Sequence, residues 1–209
     1  MDKYKDVLVK YVPDSSADMM LELLQRFRVH LRISRKRLTK LGDFRPPVNG
    51  APRRISVNHN LNSYNFLITL VHEIAHVDVW DRYGNRVKPH GREWKHSFRE
   101  LMDPFLESGV FPEDVATVLQ NYLRNARASS GSDRELHKVL ARYDDIKRVY
   151  LEDLPQGATF GIPSGRTFIK MEKRRTRYRC ICLQDKRVFL VNSLAEVIPE
   201  EQLKENVIY

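Results

Sequence analysis

His72, Glu73 and His76 form the pattern H-E-x-x-H inside the stretch LVHEIAHVDVW, residues 70–80. On a helix, residues four apart lie one turn apart on the same face, so the two imidazoles can point at one metal ion. Glu73 sits about 100° round the helix from His72. From there its carboxylate can reach a water beside the ion without ligating it. Two ligands that hold a cation and a carboxylate that takes a proton are what a zinc hydrolase requires. The bland alternative is three polar residues on a solvated helix. The flanks argue against it: Phe66, Leu67, Leu70, Val71, Ile74, Ala75, Val77, Val79 and Trp80 make this an apolar stretch, and a helix apolar on most sides is buried. Buried histidines need partners, and a metal is the simplest one.

Catalytic zinc takes three protein ligands and keeps one position open. Gly84 can stop the motif helix, and Asn85 and Gly91 mark turns before a second helix starting near Arg92. His90 lies in that connection, in K-P-H-G-R-E-W. Its loop position ahead of Gly91 would let it swing towards the motif helix, which favours it as third ligand. Glu93, Glu100 and His96, on the second helix, are the other candidates.

H-E-I-A-H followed by a short loop and H-G-R-E-W resembles the SprT-like zinc metalloproteases, the family that includes the Spartan DNA–protein crosslink proteases. L-G-D-F-R and R-I-S-V-N, upstream, add to the resemblance, which covers roughly the first half of the chain. It implies one Zn2+ held by His72, His76 and His90, Glu73 as general base, and protein substrates associated with DNA. The metzincins are excluded, because their pattern needs glycine at position 79 and histidine at position 82, where this chain has Val79 and Arg82. The SprT-like family usually carries a C-terminal zinc ribbon with two cysteine pairs. This chain has only Cys180 and Cys182, in a C-x-C arrangement with no histidine after His137. A four-ligand structural site cannot be assembled there, so a ribbon-like sheet that has lost its metal is expected, with both thiols on its core face.

The elements that must position these residues read as an α+β chain. Ser15 or Ser16 can cap a helix with Met20, Leu23, Leu24 and Phe27 inward. Val29 to Ser34, then RLTKLGDFR with a bend at Gly42, then RRISVN alternate like strands. A zincin-like helical domain with a small three-stranded sheet beside the HExxH helix is therefore expected over residues 1–128. ISVNHN is its expected edge strand, able to pair with an extended peptide. Pro104 should break the second helix. Another helix should start at Pro112, and Ser132 with Glu135 should form a capping box for the next. Residues 129–156 read as linker and connecting helix, and residues 157–209 as a small antiparallel β subdomain.

The net charge is +9. Ten Lys or Arg residues stand against one acid, Asp43, between Arg26 and Arg54, and six against Glu172 between Lys170 and Arg179. Such segments are either solvated faces or contacts for a polyanion, DNA first among them. The chain has no 18-residue apolar run and no signal-like start, so no membrane partner and a cytoplasmic, or nucleoid-associated, location are expected. The expected function is a zinc metallopeptidase acting on protein substrates. The rival is a nucleic-acid-binding or regulatory protein with a vestigial metal site, against which an intact Glu73 argues. Tyr64 and Tyr83 are the phenols that could assist an oxyanion.

Overall fold

The computed structural model describes residues 3–37, 39–48, 52–124, 126 and 133–205. The chain divides into two compact units, Met1–Asp145 and Ile146–Tyr209.

In the first unit, α1 (Lys3–Leu8), which the sequence pattern had not suggested, precedes α2 (Ala17–Arg26). Ser16 occupies the N-cap of α2, but its hydroxyl donates to the Pro13 carbonyl at 2.6 Å instead of capping the helix. Three strands follow: β1 (His30–Ser34), β2 (Gly42–Arg45) and β3 (Arg54–Asn58). The order in the sheet is β1-β3-β2, with β1 parallel and β2 antiparallel to β3. The expectation that ISVNHN forms the edge is thus wrong. β3 is the central strand, and its Ile55, Ser56, Val57 and Asn58 are buried. Arg37 makes this possible for the polar pair, because its guanidinium donates to Asn58 Oδ1 at 2.8 Å and Ser56 Oγ at 3.0 Å. β1 and β2 form the sheet's two edges.

The motif helix α3 runs from Ser63 to Tyr83. Asn62 caps it, its side chain accepting from the Asn65 amide at 2.9 Å, and Gly84 ends it. Residues 66–75 are all buried, as their composition requires. α3 packs on β2 and β3 and against α4 (Arg92–Glu107). Pro104 does not break α4, which continues through it to Glu107. The lost backbone hydrogen bond falls near the helix end, and Phe105, buried beside it, anchors the last turn. α5 (Glu113–Arg124) and α6 (Arg134–Ala141) complete the unit. Asp133 caps α6, accepting from the Leu136 amide at 3.2 Å; Ser132, expected in that role, lies outside the described residues.

The second unit is a six-stranded antiparallel sheet of order β4-β9-β5-β6-β7-β8 with α7 (Glu200–Glu205). Its strands are β4 (Val149–Tyr150), β5 (Thr159–Gly161), β6 (Thr167–Arg174), β7 (Arg177–Cys182), β8 (Val188–Asn192) and β9 (Glu196–Pro199). Cys180 and Cys182 are free and lie in its core with Leu151, Phe160, Phe168 and Val197. Burial pushes the Cys180 thiol up to about 11. Among the described residues, no helix is long and apolar enough to cross a membrane.

Candidate metal centre

α3 presents His72 and His76 on successive turns, with ring centroids 5.1 Å apart. His90 reaches them from the α3–α4 connection. Its backbone adopts φ +57°, a left-handed conformation that L-residues rarely occupy. Such strain persists where the surroundings fix it. Here they do: His90 Nε2 lies 2.9 Å from His76 Nε2 and 3.2 Å from His72 Nε2. The three histidines can hold a metal ion. A single ring nitrogen cannot satisfy two others with one proton, whereas a tetrahedral cation at zinc–nitrogen distances holds its donors about 3.3 Å apart. The donor chemistry fits as well. Burial and the neighbouring rings hold His72 well below its ordinary pKa and bring His76 down to about 4. Burial lowers His90 too. All three are neutral imidazoles near pH 7, which is the ligating form.

Trp94, on the first turn of α4, is the floor of this cluster. Fully buried, it sits with its ring 4.5 Å from His72, 5.4 Å from His76 and 4.7 Å from His90, and its indole N–H donates to the His72 carbonyl at 3.4 Å. Phe98 stacks beneath it at 5.0 Å. One aromatic side chain thereby fixes the orientation of all three imidazoles.

Glu73 is 7% exposed and faces β2. The Phe44 backbone amide hydrogen-bonds its carboxylate. A Cβ built on Gly42 would lie 2.4 Å from Glu73 Oε1 and 2.7 Å from its Cγ, so only glycine at position 42 leaves room for the carboxylate. Burial, reinforced by the charge of Asp43, pushes the Glu73 pKa from 4.5 to about 8, against the lowering effects of the Phe44 amide, Arg37 and Lys40. Burial would raise Asp43 as well, but hydrogen bonds from Lys40 and Arg45 outweigh it and keep that carboxylate ionised. Gly42, Asp43 and Trp94 are contributors that the sequence reading did not single out. The only trace of Gly42 was its place at a bend, and the only trace of Trp94 was its position in P-H-G-R-E-W.

The remaining candidates are not part of the three-histidine cluster. Glu93 and His96 line a cleft with His90, and His96 also pairs with the exposed Glu100 at 3.3 Å. His59 is exposed. Tyr64 packs into Tyr143 and Phe111, with centroids 5.0 and 6.1 Å away, which commits it to packing against the segments that follow α6 and precede α5. Tyr83 lines the same cleft as His90.

These shifts predict how stability depends on pH once metal is removed by chelation. Between about pH 4 and 6.5 the unfolded chain binds protons that the buried histidines refuse, so stability rises with pH. Glu73 acts oppositely from pH 4.5 to about 8, because the folded state keeps a proton that the unfolded state has lost. The histidines outnumber it below pH 6.5 and fall silent above. Thermal melting of the chelated protein should therefore peak near pH 6.5 and decline towards pH 8, with the decline absent in Glu73→Gln. A continuous rise through pH 8 in the wild type would contradict the buried setting of Glu73.

The family model of the SprT-like family matches residues 14–115, from just before α2 into α5. Through these residues the chain belongs to the SprT-like family. The match contains all three histidines, Glu73, Gly42 and Trp94, and ends before the second unit begins. No curated protein and no solved structure matches the chain.

Proposed function

We propose that this protein is a zinc-dependent peptidase in which His72, His76 and His90 hold one Zn2+ per chain and Glu73 is the general base. The observation that carries this reading is the convergence of three neutral imidazole nitrogens, 2.9 and 3.2 Å apart at His90, beside a buried carboxylate. Membership of the SprT-like family supports it. When bound, zinc supplies a Lewis acid that polarises a carbonyl and makes a nearby water acidic near neutral pH. The chain's own residues do the rest. Glu73, whose protonated form burial favours in the metal-free protein, would be drawn to its ionised form by the positive charge of a bound ion. Its carboxylate oxygen then accepts the proton of the attacking water and delivers it to the departing amine. Gly42 and the Phe44 amide fix where that carboxylate stands, and Trp94 holds the imidazoles still. β2, as a sheet edge lying against α3, offers backbone groups for an extended peptide to pair with. Incubating the zinc-loaded protein with unfolded protein and with protein-crosslinked DNA should give peptide fragments that a chelator abolishes. Intact substrates under both conditions would remove the reading.

We propose further that the substrates are DNA-associated. Much of the charge between Arg26 and Arg54 is engaged within the fold: Arg37 on β3, Lys40 and Arg45 on Asp43, and Arg53 on Asp81 at 2.5 Å. In the second segment Lys170 is buried, donating to the Glu152 and Leu154 carbonyls beneath the Tyr178 ring. The hairpin tip from Lys173 to Arg177 is exposed and is the better candidate for phosphate contact. Replacing Lys173, Arg174 and Arg175 by alanine should flatten the log–log salt dependence of DNA binding by about 2 to 3. A slope untouched by the substitution would separate this hairpin from DNA.

A further inference from the structure

Beside the metal centre runs a cleft of about 700 Å³ that the proposed chemistry does not use. His90 forms part of its wall, so the cleft adjoins the three-histidine cluster. Alongside Tyr83, Gly91, Glu93 and His96, the rest of its described lining is basic. Arg92, Lys95 and Arg99 recur at three- and four-residue spacing along one face of α4, and Arg124 closes the cleft from the end of α5. Glu93 is the one acid among the described lining residues. Arg99 donates to the Leu123 carbonyl at 3.0 Å and the Arg124 carbonyl at 3.4 Å, which ties the two helices together and fixes the cleft's width. Arg92 and Arg124 make no ion pair among the described residues.

We propose that this cleft is a specificity subsite that takes a glutamate or aspartate side chain of the peptide substrate, adjacent to the bond that is cut. The inference rests on the peptidase reading and deepens it. The size suits one or two side chains and not a duplex. Like-signed guanidinium groups in a concave site select a carboxylate through charge-assisted, fork-shaped hydrogen bonds, which ammonium groups alone do not provide. A focused positive potential there would also favour approach of acidic segments over basic ones. Arg92 and Arg124 are the residues that would meet the carboxylate, and Arg99 is a positioning residue that holds α5 against α4.

The test uses the zinc-loaded full chain and two short fluorescent peptides, identical except for glutamate or glutamine at alternate positions. The glutamate peptide should bind at least about tenfold more tightly at low salt. Combining Arg92→Glu with Arg124→Glu should abolish this preference and give a lysine version of the peptide the advantage, a gain that a misfolded variant could not show; zinc content reports on the fold. Equal binding of the glutamate and glutamine peptides, or a preference that survives the double reversal, would overturn the proposal. So would peptides that bind indifferently while a single-stranded oligonucleotide binds the wild type and not the variant, since the cleft would then belong to nucleic acid. Cleavage is read separately on the same peptides. A binding preference without cleavage of either would fell the peptidase reading and leave the acidic-side-chain site standing.

Discussion

His90→Ala should lower zinc affinity by more than about 100-fold, because removing even a residue that merely supports a ligand costs about 10- to 100-fold. His90 supplies the nitrogen that meets both others, at 2.9 and 3.2 Å, and it does so from a connection rather than from α3. Its removal leaves two ligands on one helix and opens the cluster. Alanine is also uncomfortable at φ +57°, so a companion variant is needed. His90→Asn keeps a residue that tolerates the left-handed region and removes the imidazole. Both should lose zinc alike, and the wild type should bind one equivalent. Zinc retained by His90→Asn, together with zinc lost by Glu93→Ala, would transfer the third ligand to a carboxylate.

Gly42→Ala should reduce peptide hydrolysis by at least about 100-fold, the range attributed to a positioned general base, with zinc content unchanged. The added methyl would stand 2.4 Å from Glu73 Oε1, 2.7 Å from Cγ and 2.9 Å from Cδ. Neither partner can easily give way. Gly42 is held by its pairing with Val57 on the central strand, and Glu73 is buried on a helix whose neighbours are buried too. Relief comes only by turning the carboxylate away from the Phe44 amide and into a new rotamer. The three atoms nearest the added methyl all belong to Glu73 and none to a histidine, so the metal cluster should survive. Normal turnover in Gly42→Ala would mean that the orientation of Glu73 against β2 is not the reactive one.

The parts of the site that local spacing encodes could be read from the sequence. His72 and His76 sit one turn apart on an apolar helix, and helix geometry alone brings their rings together. His90 was readable from its place between Pro89 and Gly91, where a loop must turn back. The surroundings of Glu73 were not, because they depend on sheet order. With β3 between β1 and β2, the strand lying against Glu73 is β2, and nothing local to GDFR or RISVN says which of them is central. Ser56 and Asn58 are polar yet buried on β3, and nothing local marks Arg37, one of ten basic residues in its segment, as the guanidinium that satisfies them. The same holds for Lys170. It stands opposite Cys180 in the sheet, and its ammonium finds backbone carbonyls and a Tyr178 ring in place of water. The contact of Trp94 with three imidazoles depends on how α4 packs against α3, which no local spacing encodes.

On the proposed reading, a metal held by three histidines and a base at Glu73 make this chain a peptidase. The most direct test compares wild type with Glu73→Gln, both loaded with zinc, on one unfolded protein substrate. Glutamine keeps the size of the buried side chain and cannot accept the proton. Zinc content should be equal in the two proteins, with fragments from the wild type and a rate at least about 100-fold lower from the variant. Equal rates from the two, at equal zinc content, would contradict it.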